Sequence, residues 1–177
     1  MKYLITERQY NSIKEQEEEV LSFPFAFFND DWNLVLSVMK GRPFKIEGNL
    51  ILKTRKIKTL GNLKSVGGNL SLYSTIVKTL GNLESVGGYL NLYSTPIKSL
   101  GDLKSVGEWL VLSYTPIKTL DNLERVGSDL IAVHSDIESF GNLKSVGGSL
   151  DLNFTPLSKR YSKSQIKKMI DVKGDIK

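Results

Sequence analysis

The sequence predicts a mainly β protein with flanking helices, in which the chain winds as a solenoid with one strand per 20-residue coil. Three observations predict this fold. The stretch 61–157 consists of copies of one repeat, which begin at positions 61, 81, 101, 121 and 141. The same residue types recur in fixed columns of that repeat, and helix-capping sequences stand near both ends. A fixed period of this size indicates units that bury their apolar faces only against their neighbours.

The first predicted element is an N-terminal cap over residues 1–40, consisting of a helix and a strand. Residues 6–9 match a capping box, with Ile5 and Tyr10 placed to form a hydrophobic staple. A helical stripe of apolar residues follows, formed by Tyr10, Ile13, Val20 and Leu21. The run Asn-Leu-Val-Leu-Ser-Val at 33–38 favours an extra strand before the repeats begin.

The solenoid itself is predicted over residues 41–157, where the block 41–60 is a diverged first copy. Two apolar columns lie two residues apart, which is the spacing of a strand with one face buried. They contain Leu50, Leu70, Leu90, Leu110, Leu130 and Leu150, followed by Leu52, Leu72, Leu92, Leu112, Ala132 and Leu152. The remaining apolar columns, such as Leu63 and Val66 with their equivalents, lie three apart and favour tight turns or short 3₁₀ segments.

Glycine and asparagine occupy fixed positions that predict backbone roles. Gly67 and its equivalents do not vary among the five later copies, which favours a positive φ or a close approach of two backbones. A second glycine column, beginning at Gly61, contains Asp121 in one copy, and aspartate tolerates the left-handed region better than most residues. Asn62 and its equivalents follow, and we expect them to cap a short helical turn.

The last predicted element is a capping helix with a tail over residues 158–177. Residues 162–165 form a second capping box, with Tyr161 and Ile166 as its staple. Ile166, Met169 and Ile170 then form the apolar side of a helix that Gly174 is suited to end. Helices at both ends would cover the open apolar coils, as a solenoid requires.

The pattern Leu-x-Leu-x-x-Thr-x-Ile, seen at Leu90, Leu92, Thr95 and Ile97, resembles the leucine-rich repeat core Leu-x-Leu-x-x-Asn-x-Leu. The likeness covers about residues 44–157 and implies a right-handed, leucine-rich-repeat-like solenoid with one exposed strand face. Threonine stands where that family has asparagine, and the coil is too short for a full convex helix. The closing sequence at 155–170, TPLSKRYSKSQIKKMI, resembles the terminus of leucine-rich-repeat proteins encoded by bacteriophages.

Composition and charge restrict the classes of function. The chain has no cysteine, which excludes disulfides and thiolate chemistry. Its net charge of +5 is concentrated in residues 158–177, where seven basic and two acidic side chains stand. The start MKYLITERQY lacks the apolar region of a signal peptide, and no stretch is long enough to span a bilayer. We therefore expect a cytoplasmic protein without membrane contact, in a bacterial host cell if a phage encodes it.

The outward positions of the strand predict a partner-binding face. They differ between copies while the structural columns do not, and several of them hold aromatic or apolar side chains that rarely serve solubility. The candidate residues are Tyr73, Tyr89, Asn91, Tyr93, Trp109, Val111, Tyr114, Ile131, Val133 and His134. We expect the middle members, around Tyr93 and Trp109, to cluster with one another. The alternative is that cross-strand aromatic pairs only stabilise the sheet.

Two other faces suggest alternative functions. The column Lys58, Lys78, Lys98, Lys118 ends in Glu138 and is a candidate phosphate track, to which the tail adds Lys159, Arg160, Lys163, Lys167 and Lys168. A second column of alternating sign, beginning at Lys64 and Glu84, suits salt-bridged ladders. Thr75, Thr95, Thr115 and Thr155 also suggest an ice- or surface-binding solenoid, although we expect these threonines to point inward or into the turn.

Catalysis is not expected from this composition. His134 is the only histidine, no spacing typical of a metal site is present, and no nucleophilic pair is available. We therefore predict a non-enzymatic protein without cofactor, metal or small-molecule substrate. Its expected function is to bind a protein partner through the strand face, as an inhibitor or modulator of a host protein, including a defence-system protein. Nucleic-acid binding through the lysine column and the basic tail is the alternative.

Overall fold

The computed structural model describes residues 6–9, 20–52 and 56–177, and the chain forms a mainly β solenoid of about six coils. Each coil contributes one short strand to each of two parallel sheets. The inward side chains of both sheets belong to one continuous apolar core, in which most leucines of the repeat are fully buried. Short helices stand at the two ends, which confirms the predicted fold class.

The first sheet has eight parallel strands and runs from one end of the solenoid to the other. In spatial order they are β1 (Leu21–Phe23), β2 (Phe44–Ile46), β4 (Leu63–Val66), β6 (Ser85–Val86), β8 (Ser105–Val106), β10 (Arg125–Val126), β12 (Ser145–Val146) and β14 (Asp171–Val172). Equivalent residues of successive repeats face each other, as Val86 faces Val106. One repeat of the sequence therefore corresponds to one step from a strand to its neighbour in the sheet.

The second sheet has six parallel strands, one from each coil. They are β3 (Leu50–Ile51), β5 (Leu70–Ser71), β7 (Leu90–Asn91), β9 (Leu110–Val111), β11 (Leu130–Ile131) and β13 (Leu150–Asp151). Leu90 faces Leu110 here, again its equivalent in the next repeat. The strands of this sheet are the ones that the Leu-x-Leu columns predict. Their outward residues form the candidate binding face.

The prediction of one strand per coil is wrong, because the column of Val66 and its equivalents forms a second strand. Val66 and its equivalents lie in the first sheet, where the N–H of Gly87 donates to the carbonyl of Val66 at 2.8 Å. Most strands of this sheet are only two residues long. Such a short strand is not long enough to display the alternation by which strands are recognised in a sequence.

The invariant glycine column is explained by a close approach of backbones. A Cβ atom added to Gly107 would overlap the carbonyl oxygen of Gly87 in the preceding coil, and an added Cβ meets the same obstacle at each of the five glycines in the column. None of these five has a positive φ. Of the two explanations offered by the sequence, the structure therefore selects the steric one.

The column that begins at Gly61 is the one that needs a left-handed backbone. Its φ angles lie between 47° and 61°, including 47° at Asp121. Each N–H in the column donates to the hydroxyl two positions earlier, as Asp121 does to Thr119 at 3.2 Å. The Asp121 carboxylate also accepts hydrogen bonds from the Ser99 hydroxyl and the Leu100 N–H, both at 2.8 Å. These bonds tie the aspartate to the preceding coil.

The asparagine column after these glycines does not cap helical turns, so that prediction is wrong. No helix follows it in the described coils. The side chains instead bond between coils: the amide of Asn82 donates to Asn62 Oδ1 at 2.7 Å, and the amide of Asn122 donates to the Gly101 carbonyl at 3.1 Å. A position at which every copy carries a short amide or carboxylate suits either role, and the sequence does not distinguish them.

The threonine column points into the turn, as predicted. Thr95, Thr115 and Thr155 are buried, and each hydroxyl donates to the carbonyl three positions earlier, at 2.7, 2.6 and 2.7 Å. Ser135 does the same to Ala132 at 2.7 Å. In these four coils the hydroxyl therefore bonds a carbonyl just after the strand, whereas the buried Thr75 hydroxyl has no such partner among the described residues. Because the threonines are buried, they do not present the surface that an ice-binding solenoid would require.

The N-terminal cap contains a helix where the sequence favours a strand. Residues 33–38 lie within helix α1 (Trp32–Met39), whose first turn is capped by Asp31 Oδ1 accepting from Asn33 N at 2.9 Å. The helix buries Trp32, Val35 and Met39 on one side. The apolar Leu-Val-Leu-Ser-Val run is compatible with a strand, but the aspartate cap and this helical spacing favour the helix.

The predicted capping box of the first helix is confirmed in the described residues 6–9. Thr6 N donates to Gln9 Oε1 at 2.7 Å, and Gln9 N donates to Thr6 Oγ1 at 3.2 Å. Gln9 Nε2 also donates to the carbonyl of Phe27, in a 3₁₀ helix over Phe25–Phe28. Leu21 begins strand β1, so it is not part of a helical stripe. The predicted roles of Ile5, Tyr10 and Ile13 lie outside the described residues.

The C-terminal cap consists of α2 (Pro156–Arg160), α3 (Lys163–Met169) and a final extended segment. The predicted box at Ser162 and Gln165 is present, and α3 buries Ile166 while Met169 stays exposed. Gly174 does not end this helix, contrary to the prediction. Its N–H donates to the Gly148 carbonyl at 2.9 Å, in a segment that adds a last strand to the first sheet.

Within the described ranges, no helix combines the length and the apolar composition that crossing a bilayer requires.

Two glycine substitutions test the separate roles of the two columns. We expect Gly107→Ala to lower the free energy of unfolding by about 3 kcal/mol or more, because its Cβ would overlap a backbone oxygen that cannot move without separating the coils. Gly81→Asn should cost about 1 kcal/mol or less, since Gly81 has open space and needs only a left-handed φ. Urea unfolding measures both. Equal losses would contradict the steric role of the first column.

Candidate protein-binding face

The candidate face is the outward side of the six-stranded sheet, which we call the strand face. Alternation along each strand turns the leucines into the core and the intervening residues outward. The fixed register places equivalent residues of successive coils next to each other, about 4.8 Å apart. Side chains at the same position of successive repeats therefore form rows along the solenoid.

Five rings form one continuous row, which we call the aromatic ladder: Tyr73, Tyr93, Tyr114, His134 and Phe154. The ring centroids are separated by 5.7, 5.4, 5.0 and 4.5 Å in that order. His134 and Phe154 are stacked with only 5° between their planes, whereas Tyr93 and Tyr114 meet edge to face. All five side chains are exposed. The ladder thus presents ring edges to solvent along five coils.

The ladder changes column between Tyr93 and Tyr114. Up to Tyr93 the ring stands one position before the residue with positive φ, and from Tyr114 onwards it is that residue, with φ of 59°. The sequence shows the change as Tyr-Ser-Thr giving way to Ser-Tyr-Thr. Both positions reach the same row, so the change does not interrupt the stack.

Tyr89 and Trp109 lie in a different row of the strand face and do not join the ladder. Neither ring contacts another ring among the described residues. Trp109 is 53% exposed, while Tyr89 is half-buried. The prediction that these two cluster with Tyr73 and Tyr93 therefore holds only in the sense that all four share one face.

The remaining candidate residues form the floor between these two rows. Val111, Ile131 and Val133 are half-buried, as is Asn91, whose side chain accepts a hydrogen bond from the Tyr93 N–H at 2.9 Å. Asn91 thus fixes the backbone beneath a ladder residue. The face as a whole combines a mostly apolar floor with the aromatic ladder on one side and the exposed Trp109 on the other.

Sequence reasoning missed a structural role in the row that holds Trp109. Asn49, Asn69 and Asp129 each accept a hydrogen bond from the backbone N–H of the equivalent residue in the next coil, at 2.8, 2.9 and 2.7 Å. The signal was available, because a short side chain with an acceptor oxygen recurs in the column. The sequence also left Phe154 outside the candidate set, although it completes the ladder.

The lysine column lies on another side of the coils and is exposed. Lys98 N donates to the Lys78 carbonyl at 3.1 Å, so successive lysines are direct neighbours, and Lys118 Nζ pairs with Glu138 at 3.0 Å. The column of alternating sign forms the ion pairs that the sequence predicts, Lys64 with Glu84 at 3.2 Å and Lys144 with Glu124 at 2.6 Å. Exposed pairs of this kind stabilise a fold weakly.

A cavity of about 370 Å³ lies between the later coils and the C-terminal helices. Phe140, Leu157 and Ile170 are among its apolar lining residues, with Glu138 and Arg160 among the polar ones. Glu138 is already paired with Lys118. None of the strand-face candidates lines this cavity, whereas Arg160 of the alternative nucleic-acid set does.

The single histidine of the chain, His134, takes part in the aromatic ladder. His134 is stacked between Tyr114 and Phe154, and no group of three metal-binding side chains occurs within the described ranges. Fold and face together define a repeat β-solenoid with an exposed aromatic ladder. Comparisons with protein-family models, with curated proteins and with solved structures found no match for this chain.

A titration tests the ion pairs of the alternating column. The hydrogen bond and charge of Lys144 lower the pKa of Glu124 below its ordinary value of 4.5, with a smaller contribution from Lys104. The stabilisation that this pair provides is therefore present above pH 4.5 and is lost as pH falls through the lower folded-state pKa. We expect Lys144→Met to raise the pKa of Glu124 more than Lys104→Met does, in an NMR titration. An unchanged Glu124 titration in Lys144→Met would contradict the pairing.

Proposed function

We propose that this chain is a non-catalytic protein-binding module that recognises one protein partner through the strand face. The observation that carries the proposal is Trp109, a 53% exposed indole without a ring contact among the described residues. Cross-strand stacking accounts for the five ladder rings as stabilisers of the sheet, but it does not account for Trp109. Exposed aromatic side chains on a rigid scaffold are typical anchors of protein interfaces.

The rigidity of the face supports the same function. Its rows are fixed by inter-coil backbone bonds, such as Leu90 N to the Trp109 carbonyl at 2.8 Å and Leu110 N to the Asp129 carbonyl at 2.9 Å. Aromatic side chains held on such a scaffold lose little conformational freedom when a partner binds. The variable residues therefore stand on a surface that is organised before binding.

The origin and the target are further parts of the proposal. The leucine-rich-repeat pattern and the closing sequence at 155–170 support a leucine-rich-repeat protein encoded by a bacteriophage, working in the cytoplasm of a bacterial host. A phage-encoded binder without catalytic groups would act by occupying a host protein. Inhibition or modulation of such a protein, including one of a defence system, is the role that follows.

Nucleic-acid binding is the second candidate, supported by the exposed lysine column. Lys58, Lys78 and Lys98 have no ion pair among the described residues, and the exposed tail side chains Lys159, Arg160, Lys163, Lys167 and Lys168 add positive charge. Binding to phosphates would weaken steeply with added salt, because it releases counterions. Recognition by the aromatic face would depend on salt much less.

A pull-down from bacterial lysate at low and high salt separates the two candidates. We expect the wild type to retain one protein at high salt, and the Tyr93→Ala/Trp109→Ala variant to lose it while its melting temperature stays within a few degrees. Lys78→Gln/Lys98→Gln is the matched control and should retain the protein. Nucleic acid as the sole ligand, released by salt and lost in the lysine variant, would contradict protein binding by the strand face.

A further inference from the structure

The strand face differs in charge from the rest of the molecule. Over residues 61–157, the outward columns of the six-stranded sheet and the positions that flank them contain no lysine or arginine, although the chain carries a net charge of +5. The same positions hold four carboxylates, at Glu108, Asp129, Asp136 and Asp151. Beside the last strand of this sheet, Asp175 and Lys177 add one residue of each sign. The equivalent positions of the first coil hold Lys53 and Lys56, so the acidic part of the face lies within residues 61–157. A stretch that is both acidic and aromatic is complementary to a cationic partner.

We propose that Trp109 and Asp129 form an anchor site for an arginine side chain of the protein partner. This inference rests on the proposed function and names the chemistry that the strand face recognises. Trp109 and Asp129 are neighbours in one row, since the N–H of Leu110 donates to the Asp129 carbonyl at 2.9 Å. Their side chains therefore leave adjacent strands about 4.8 Å apart on the same side of the sheet.

Both side chains are available to a ligand. The Trp109 indole stacks on no other ring among the described residues, and Asp129 forms no ion pair with a lysine or arginine there. Asp129 Oδ1 accepts the N–H of Ser149 at 2.7 Å, which holds the carboxylate in place. Its second oxygen, Oδ2, makes no hydrogen bond in the described structure and is free to accept one.

Arginine fits this pair better than other side chains do. A planar guanidinium stacks on an indole face while its N–H groups donate to a carboxylate, which combines a cation–π contact with a charge-assisted hydrogen bond. Glu108, directly before Trp109 in the chain, adds negative charge beside the site. The same charges repel a phosphate backbone, so they favour a basic protein segment at this face over a nucleic acid.

The repeat itself supplies a matched variant that removes only the charge. Asn49 and Asn69 occupy the same column as Asp129 and accept the same backbone hydrogen bond, at 2.8 and 2.9 Å. Asp129→Asn therefore keeps the inter-coil bond and the shape of the side chain. Any loss of binding in this variant reports on the carboxylate charge and not on the fold, and an unchanged melting temperature verifies this.

The two tryptophans provide a readout with an internal reference. Trp32 is 3% exposed and its indole N–H donates to the Thr59 carbonyl at 3.0 Å, whereas Trp109 is exposed. We would titrate the full ¹⁵N-labelled chain with the peptide Gly-Arg-Gly-Arg-Gly-Arg, and separately with the same peptide carrying citrulline, a neutral isostere, in place of arginine. The indole N–H signals of the two tryptophans would then be followed at constant ionic strength.

We expect the arginine peptide to shift the Trp109 signal and leave the Trp32 signal in place. The citrulline peptide and the Asp129→Asn variant should each weaken binding about tenfold, the size of effect that loss of a hydrogen bond to a charged group produces. Equal binding of the citrulline peptide, unchanged affinity in Asp129→Asn, or no shift of Trp109 would each overturn the arginine site. A lysate protein lost in Tyr93→Ala/Trp109→Ala but retained by Asp129→Asn would also overturn it, while leaving protein binding by the strand face in place.

Discussion

The close approach of successive coils at the invariant glycine column is the constraint on which the rest of the structure depends. Each of these glycines brings its own backbone so near to the preceding coil that a Cβ atom would overlap a carbonyl oxygen. That contact fixes neighbouring coils in one register and at one spacing, so the leucine columns meet in a continuous core. The hydrogen bonds of both sheets, the asparagine bonds between coils and the ion pairs of the alternating column all require the same register of one repeat per coil.

The aromatic ladder is a consequence of this constraint. Side chains from successive repeats become neighbours only because the coils stack without offset, which brings the ladder centroids to between 4.5 and 5.7 Å. The scaffold is uniform, whereas the residues displayed on it are not. Trp109 and Asp129 stand at positions that hold asparagine in the early coils, and the asparagines Asn49 and Asn69 make a backbone bond that Trp109 cannot make. Trp109 therefore occupies a structural position without making the backbone bond that the asparagines make there.

Much of the fold could be predicted from the sequence, because the copies align with one another and reveal which positions face inward. The errors have local causes. The second strand of each coil is too short to show alternation, and residues 33–38 match a strand pattern that the Asp31 cap and the buried side of helix α1 override. The candidate face was predicted as a set of residues, but not its division into a ladder and a separate Trp109 row. The continuity of the ladder depends on the positive φ of Tyr114, which brings a ring from the next column beside Tyr93 and could not be derived from the sequence.

Amide hydrogen exchange at the glycine column tests the central constraint most directly. Gly87, Gly107 and Gly127 donate their N–H groups to Val66, Val86 and Val106 of the preceding coil, each at 2.8 Å, although the glycines lie at the surface. If stacking of the coils holds the structure together, these amides should exchange only through opening that costs nearly the full free energy of unfolding. Exchange as rapid as that of exposed, unbonded amides would contradict the account, because the coils would then separate at these contacts without unfolding the protein.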